Sequence, residues 1–315
     1  MDFADLQDRL LFAVPKKGRL NEQCLALLSG ADIQFHRRSR LDIALSTNLP
    51  LALVFLPAAD IASFVGKGNV DIGITGQDMV AEGGAEVEEL LQLGFGKCNL
   101  SVQVPIASPF TKASELVGKR IATSFETVVG RYFDALESGL DDAGAAASLA
   151  GPAPALTAGH QRKTTINVIN GSVEAACALG LADAIVDLVE SGETMRAAKL
   201  HAISTVLSSQ AVLICNPKKH TSNPLVETLK RRIEGVIAAQ KYVLCNYNVA
   251  RSSLAEAVKI TPGKKAPTLS PLEDTEWVAV QAMVLKSQMA DMMDRLTAIG
   301  ATDILILAIH NCRVV

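Results

Sequence analysis

The stretch "ADAIVDLVESGETMRAA", Ala182–Ala198, contains the pattern that decides the fold. Its first half is apolar at nearly every position, which is typical of a strand covered on both faces. Its last residues predict a helix, and the turn between the two is polar and rich in acids. In open α/β folds, ligands bind at the carboxyl ends of such strands. We therefore expect Asp187, near the end of the strand, to lie at a ligand-binding edge.

The same strand and helix pattern recurs over the first two thirds of the chain. It predicts two α/β lobes: lobe I from residues 1–104 and 195–222, and lobe II from residues 105–194. Residues 138–163 are rich in Ala, Gly and Pro and offer little to bury, so we expect a mobile surface insertion. The predicted strands of the two lobes are 10–14, 51–56, 70–75, 119–124, 165–170 and 182–188, with helices over 126–136 and from Ser172.

The pattern changes after residue 240, where strands and helices follow the order β-α-β-β-α-β. This order is the ferredoxin-like motif. A helix predicted over Pro224–Ala239 leads into it. The expected fold is therefore α/β, with two lobes followed by a linker helix and a C-terminal ferredoxin-like domain over residues 223–315.

Composition narrows the functional classes. The chain has 30 basic and 33 acidic residues and a formal net charge of −3, so it lacks the positive field that nucleic-acid binding needs. No apolar run approaches the ~20 residues of a membrane helix, and the first residues fit no export signal. The cysteines and histidines are scattered without metal-ligand spacing. We expect a cytoplasmic protein with reduced thiols, no nucleic-acid partner and no membrane association.

The turn at 190–194 combines two chemistries. Free backbone amides and the helix dipole favour a phosphate group at Ser191–Thr194, and the hydroxyls of Ser191 and Thr194 would complete the site. The nearby acids would repel a bare phosphate, but they accept hydrogen bonds from sugar hydroxyls and tolerate magnesium. A ribose phosphate satisfies both. The alternative is structural: Ser191 caps the helix, and Glu190 and Glu193 complement its dipole.

Two other turns follow predicted strands. "PKKGRLNE", 15–22, places Lys16, Lys17 and Arg19 where a polyphosphate would fit. A solvated loop is the alternative for each lysine. "DIGITGQD", 71–78, contains glycines that allow close backbone approach. Three such turns on two lobes predict a ligand cleft between the lobes.

A fourth stretch, "INGSVEAACALGLAD", is expected to begin a helix capped by Asn170, Gly171 and Ser172. Glu174 lies in the first turn of that helix and faces the edge that Asp187 reaches. Capping accounts for Asn170 and Ser172 but leaves Glu174 free for another role.

These motifs resemble the long form of the ATP phosphoribosyltransferase family, most closely its fungal members. The resemblance covers essentially the full length, including "LLFAVPKKGRL", "DIGITGQD" and "GATDILILAIHNCR". The block "GSVEAACALGLADAIVDLVESGETMRAA" is the most specific part. One departure is the turn "LPAADI", where Ala58 and Ala59 stand in place of a basic residue found in bacterial members.

The resemblance implies a two-lobed catalytic part similar to periplasmic binding proteins and an ACT-like regulatory domain that binds histidine as a feedback inhibitor. A ring nitrogen of the ATP adenine would attack the anomeric carbon of phosphoribosyl pyrophosphate and release pyrophosphate, with Mg²⁺ present. The family forms homo-oligomers, from dimers to hexamers. A two-lobed binding module that captures a small anion without turnover is the competing hypothesis.

The resemblance also implies residue roles. The catalytic residues would be Arg19, Glu174 and Asp187. The ribose phosphate would contact Asp187, Glu190, Ser191, Gly192, Glu193 and Thr194. The ATP or pyrophosphate group would contact Lys17, Gly18, Arg19, Leu20, Gly76 and Asp78. Histidine would contact Asn248, Thr268 and Asp303. The protein ligands of the metal are not specified.

Overall fold

The computed structural model describes residues 6–37, 41–150, 162–220 and 223–313. The chain divides into two compact units. Unit 1 comprises Met1–Cys24 and Phe35–Asn223, and unit 2 comprises Leu25–Gln34 and Pro224–Val315. Unit 1 contains two α/β lobes, each built on its own sheet, as the sequence predicts.

The first sheet of unit 1 is mixed. Across the sheet its described strands are β2 (Ile43–Leu45), β3 (Leu51–Leu56), β1 (Leu10–Pro15), β4 (Ile72–Gly76), β11 (Ala211–Cys215) and β5 (Glu88–Gln92). Strands β3, β1 and β4 are parallel, with Leu10 in register with Leu51. The central strands are buried on both faces, which explains why they are apolar at nearly every position. Their carboxyl ends lie at one edge of the sheet.

The second sheet contains the strand that carries Asp187. Across the sheet the described strands are β10 (Leu200–Ser209), β6 (Cys98–Pro105), β9 (Ala184–Val189), β7 (Arg120–Thr123) and β8 (Thr165–Val168). Strand β7 is parallel to both β8 and β9, whereas β6 and β10 are antiparallel to their neighbours. An apolar cluster that includes Val102, Phe133 and Val186 fills one side of this sheet.

The lobe boundaries differ from the predicted ones. Strands β6 and β10 were expected in lobe I, but both pair within the second sheet. The chain crosses between the sheets twice, over residues 93–97 and at Gln210. The sequence of an apolar strand next to such a crossing is the same whichever sheet the strand joins, so composition does not show where one lobe ends and the other begins.

Short helices and 3-10 turns connect the strands of unit 1. The helices are α1 (Arg19–Gly30, which continues into unit 2), α2 (Ala58–Gly66), α3 (Gln77–Gly83), α4 (Glu126–Glu137), α5 (Asp142–Ser148), α6 (Glu193–Ala197) and α7 (Pro217–His220). The 3-10 turns are Ala113–Leu116 and Val173–Ala175.

The predicted mobile insertion over residues 138–163 is wrong for its first part. Residues 142–148 form α5, which Asp141 caps by accepting a hydrogen bond from the Gly144 amide at 2.7 Å. Ala145 is fully buried. The Asp142 carboxylate accepts hydrogen bonds from the Ala113 and Ser114 amides, at 2.9 and 3.1 Å. Residues 151–161 lie outside the described part of the chain.

Unit 2 contains the predicted ferredoxin-like motif. Its described strands are β13 (Thr268–Pro271), β14 (Trp277–Leu285), β12 (Tyr242–Ala250) and β15 (Thr302–Ala308), in that order across an antiparallel sheet. The helices are α8 (Pro224–Lys241), α9 (Leu254–Ile260) and α10 (Met289–Ala298), with 3-10 turns at Arg251–Ser253 and Lys286–Gln288. Residues of α9 and α10, including Ala257 and Leu296, bury one face of the sheet. The expected β-α-β-β-α-β order is confirmed.

In the described ranges of the chain, no helix is both long enough and apolar enough to cross a membrane.

Candidate active site

A cleft of about 220 Å³ lies at the carboxyl end of β9. The strand, the loop after it and α6 provide most of its wall, and the rest comes from α1, β6 and the 3-10 turn at Val173–Ala175. The structure therefore brings together residues from both lobes. The described residues that line the cleft are Arg19, Gln103, Glu174, Asp187, Leu188, Val189, Glu190, Ser191, Gly192, Glu193, Thr194 and Met195.

Gly192 shapes the loop that ends in this cleft. It is buried and adopts a left-handed conformation with φ of 75°, which disfavours residues with a Cβ. A Cβ atom at this position would lie only 2.9 Å from Nη1 of Arg196. Arg196 in turn donates a hydrogen bond from Nη2 to the Ser191 carbonyl at 3.1 Å. Glycine and the arginine together fix the path of the loop.

The loop presents free backbone donors. Helix α6 begins at Glu193, after Gly192 at the N-cap, and no side chain caps it. The Glu193 amide donates a hydrogen bond to Oγ of Ser191 over a long distance of 3.4 Å. Ser191 therefore makes only a weak turn contact and does not cap the helix as the structural alternative expected. Among the described residues, no acceptor binds the Thr194 and Met195 amides. These amides are available to an anion.

Asp187 is held firmly at the end of the cleft. Its carbonyl accepts a hydrogen bond from Nε2 of Gln103 at 3.1 Å, and its Oδ1 accepts the Leu188 amide at 2.8 Å. Burial raises the pKa of Asp187 above its ordinary value, the bond from Leu188 opposes this, and the charge of Glu174 adds to the rise. A carboxylate with an elevated pKa is a good hydrogen-bond acceptor for sugar hydroxyls.

Glu174 reaches the same cleft from a different local structure than predicted. The helix expected from Ser172 is a single 3-10 turn, Val173–Ala175. Ser172 has a left-handed conformation, with φ of 51°, and its side chain caps nothing. Gly171 and Ser172 both have positive φ, so Ser172 lacks the extended backbone that an N-cap residue usually adopts.

Arg19 forms an ion pair across the cleft with Glu190, at 3.0 Å. The two side chains are 81% and 49% exposed. Arg19 begins α1 after the first strand of lobe I, whereas Glu190 follows β9 of lobe II. The pair therefore connects the two lobes beside the loop at 190–194.

The rest of the basic turn lies outside the cleft lining. Lys17 and Gly18 are exposed, and Leu20 is half-buried. Lys16 pairs with Asp42 at 2.7 Å, and Arg37 approaches the same carboxylate at 3.3 Å. The hydrogen bond from Lys16, with smaller effects of both positive charges, lowers the pKa of Asp42.

Gly76 and Asp78 lie beside the crossing at Gln210 and are not among the residues that line the cleft. Asp78 is buried, and its Oδ1 accepts a hydrogen bond from Oγ of Ser209 at 2.6 Å. The same hydroxyl accepts the Asp78 amide at 3.0 Å. A Cβ at Gly76 would collide with the Asp78 carboxylate. The two residues therefore pack against the end of β10, and their contact with ATP or pyrophosphate stays a prediction.

A second cavity, of about 400 Å³, adjoins the cleft and shares Val189 and Glu190 with it. Its lining is rich in amide and hydroxyl groups. The described residues that line it are Gln77, Lys97, Cys98, Asn99, Val189, Glu190, Ser208, Ser209 and Gln210.

Sequence reasoning missed Gln103 and Arg196. Gln103 is only 2% exposed in the apolar strand β6, so a polar side chain in a buried strand was the available signal. Arg196 follows the acidic turn in a helix of five residues, where a basic side chain is ordinary. Its contact with the loop depends on tertiary geometry that the sequence does not reveal.

The candidate regulatory residues in unit 2 do not form one cluster. Asn248 donates from Nδ2 to Oδ2 of Asp303 at 2.9 Å, so these two lie together. Thr268 lies on the edge strand β13 and pairs with Gln281, whereas Asn248 pairs with Ala279. Since β14 separates β13 from β12, Thr268 is remote from the Asn248–Asp303 pair.

A cavity of about 570 Å³ occupies a different place in unit 2, where β12 begins and β14 ends. It contains both charges and apolar groups. The described residues that line it are Tyr242, Ile260, Pro262, Gly263, Lys264, Met283, Val284, Leu285, Ser287, Gln288, Asp291, Met292 and Arg295.

Comparisons with known proteins agree with this architecture. Residues 57–235 match the family model described as ATP phosphoribosyltransferase, and residues 239–311 match the HisG C-terminal domain. A chain from the Thermotoga maritima HisG:HisZ ATP phosphoribosyl transferase complex superposes with a TM-score of 0.54 at 24% identity, covering 71% of this chain and 98% of that one. At that identity the likeness shows the fold alone.

Curated relatives match nearly the whole chain. An ATP phosphoribosyltransferase of Yarrowia lipolytica is 56% identical over 311 residues, and one of Eremothecium gossypii is 54% identical over 309, each covering 98% of both chains. The competing hypothesis of a binding module without turnover loses its support. The chain belongs to the ATP phosphoribosyltransferase family, the transferases of the first step of histidine biosynthesis.

Proposed function

We propose that the cleft at the end of β9 binds phosphoribosyl pyrophosphate and transfers its ribose to the adenine ring of ATP. The 5-phosphate lies against the amides of Thr194 and Met195, with the hydroxyls of Ser191 and Thr194 beside it. The observation that carries this proposal is the convergence of free amides, two carboxylates and Arg19 in one cleft.

Glu174 and Asp187 accept hydrogen bonds from the ribose hydroxyls. When pyrophosphate departs, the ribose gains oxocarbenium-like positive charge, and the two carboxylates stabilise that charge. Arg19 stabilises the negative charge that grows on the leaving group. The adenine nitrogen provides the electron pair, so the protein's main contribution is to align two anionic substrates.

Mg²⁺ enters as part of the substrate complex in this proposal. Among the described residues, no three histidine, cysteine or acidic side chains converge closely enough to hold a metal. One or two carboxylates plus substrate phosphates suit Mg²⁺, which usually keeps several waters. Glu174 and Asp187 fit that arrangement, and the ion would neutralise the charge of the pyrophosphate.

ATP occupies the second cavity, next to the reacting carbon. The amides of Gln77, Asn99 and Gln210 line it, and each already makes a hydrogen bond within the chain. A purine edge would pair with Nδ2 of Asn99 and Oε1 of Gln210 or replace one of these bonds. The shared residues Val189 and Glu190 place this cavity beside the ribose site. Lys17, Gly18 and Leu20 remain candidates for the triphosphate, as do Gly76 and Asp78; Asp78 accepts a hydrogen bond from Ser209 of the cavity lining.

Asp187→Asn tests the proposal directly. We expect kcat/KM for phosphoribosyl-ATP formation to fall about 100-fold, the lower end for losing one electrostatic group at the reacting centre. Asp60→Asn is the matched control because Asp60 is an exposed acid on α2. The proposal fails if Asp187→Asn retains wild-type kcat/KM, or if the wild-type protein with ATP, phosphoribosyl pyrophosphate and Mg²⁺ forms no product.

Histidine inhibits the enzyme from the C-terminal domain in this proposal, at the Asn248–Asp303 pair. The Asp303 carboxylate can accept hydrogen bonds from the ammonium group of an amino-acid ligand. Asp303→Asn should raise the histidine concentration for half-inhibition at least tenfold. Asp291→Asn, in the separate cavity of unit 2, is the control. Loss of inhibition in Asp291→Asn alone would move the histidine site to that cavity.

The protein acts as a cytoplasmic homo-oligomer in this proposal. All six cysteines are free of disulfides, which suits a reducing compartment. Light scattering of the purified chain would distinguish a dimer from a hexamer. A monomer at micromolar concentration would contradict the proposed homo-oligomer.

A further inference from the structure

The ion pair between Arg19 and Glu190 has a consequence for substrate selection. Four carboxylates line the cleft, from Glu174, Asp187, Glu190 and Glu193, and Arg19 is the cation among its described lining residues. Glu190 holds that guanidinium at 3.0 Å. A polyphosphate that binds Arg19 through Nη2 therefore competes with Glu190 for that nitrogen.

We propose that Glu190 is a specificity-determining residue that competes with the polyphosphate for Arg19, so that the cleft discriminates against polyphosphates that carry no divalent cation. The inference rests on the proposed function of the cleft. A metal-free polyphosphate takes Arg19 but leaves the Glu190 carboxylate unpaired beside its own negative charge. A polyphosphate bound to Mg²⁺ carries less charge, and the hydrated cation gives the released carboxylate a new partner.

The exposure of the pair makes this competition reversible. Both side chains are substantially exposed, at 81% and 49%, so the pair is weak and screened by salt. A buried pair would cost more to break, because it would leave an uncompensated charge away from water. The exposed pair imposes only a small penalty, which a metal-bound substrate can overcome.

Glu190→Gln removes the competing charge and keeps the side-chain shape. The measurement is isothermal titration calorimetry with inorganic pyrophosphate, at low salt, in EDTA and again in Mg²⁺. We expect Glu190→Gln to bind metal-free pyrophosphate about two- to fivefold more tightly than wild type, the range of an exposed ion pair. Binding with Mg²⁺ should change less, so the preference for the metal complex falls.

Two further variants isolate the mechanism. Glu193→Gln removes one charge from the same loop without touching the Arg19 pair, so it measures the general electrostatic effect. In an Arg19→Ala background, Glu190→Gln should tighten the binding of metal-free pyrophosphate no more than Glu193→Gln does. Equal tightening by Glu190→Gln and Glu193→Gln with Arg19 present, or tightening by Glu190→Gln that is as large without Arg19 as with it, would overturn the proposal.

The result also separates this inference from the function on which it rests. If wild-type protein forms product but Glu190→Gln leaves both pyrophosphate affinities unchanged, only the inference fails. If wild-type protein neither binds pyrophosphate nor forms product, the proposed function fails with it. Thermal unfolding of each variant confirms that the compared proteins are folded.

Discussion

Gly192→Ala should damage both stability and phosphate binding. An alanine at φ of 75° costs about 1–2 kcal/mol of folding free energy because its Cβ crowds the backbone. The new Cβ would also lie 2.9 Å from Nη1 of Arg196 and displace it. Loss of the Arg196 hydrogen bond to the Ser191 carbonyl adds about 1 kcal/mol. The expected total loss is about 2–3 kcal/mol.

Gly180→Ala is a matched control for this substitution. Gly180 has a similar φ of 70°, but a Cβ at that position would meet no atom within 4 Å. It should lose only the backbone contribution, about 1–2 kcal/mol. Gly180 is exposed and does not line the cleft, so binding should be unaffected.

Urea unfolding and calorimetric titration with phosphoribosyl pyrophosphate measure the two effects. Gly192→Ala should weaken binding about tenfold, since displaced amides forfeit roughly one charge-assisted hydrogen bond. Gly180→Ala should bind like wild type. Equal affinity losses in the two variants would refute the idea that the path of the loop, rather than global stability, determines phosphate binding.

Two further variants test the electrostatics of unit 1. The folded-state pKa of Asp187 is raised, so ionisation of this carboxyl lowers the free energy of unfolding as the pH rises through that pKa. Relative to wild type, Asp187→Asn should therefore be more stable at pH 7 than at about pH 4, near the ordinary pKa of aspartate. A stability difference in urea unfolding that is the same at both pH values would contradict this. The Glu82 carboxylate accepts hydrogen bonds from two backbone amides at the start of α4, at 2.9 and 3.0 Å. Glu82→Gln should therefore lower the free energy of unfolding by about 1 kcal/mol, whereas Glu86→Gln, at an exposed position, should leave it almost unchanged. Equal urea midpoints for the two variants would show that Glu82 does not cap α4.

The strands that position the site were predictable because burial on both faces leaves a clear sequence signature. Strands β1, β3, β4 and β9 are apolar at almost every position, and the ferredoxin-like motif has alternating strands and clear turns. Strand β5, "EELLQ", lies at the edge of its sheet and is largely exposed, so it carries no such signature. Strands could be predicted where burial is uniform along the whole strand.

The connections were harder to predict because tertiary contacts decide them. The stretch after Gly171 contains good helix formers, yet two residues with positive φ and a tight path between parallel strands leave a single 3-10 turn. Helix α5 contains little apolar volume, but its Asp142 carboxylate holds a neighbouring turn and Ala145 packs fully into the core. Neither effect follows from local propensity.

The acids around the phosphate loop have different tasks, which resolves their apparent conflict with an anion. Asp187 is partly buried with a raised pKa, Glu174 shares its wall of the cleft, and Glu190 occupies Arg19. In the proposed complex the phosphate meets neutral amide dipoles at hydrogen-bond distance, where salt screens the interaction less than it screens a distant lysine. Affinity for the phosphate then depends on backbone conformation, which Gly192 controls, while the charged side chains remain free to select the sugar and the leaving group.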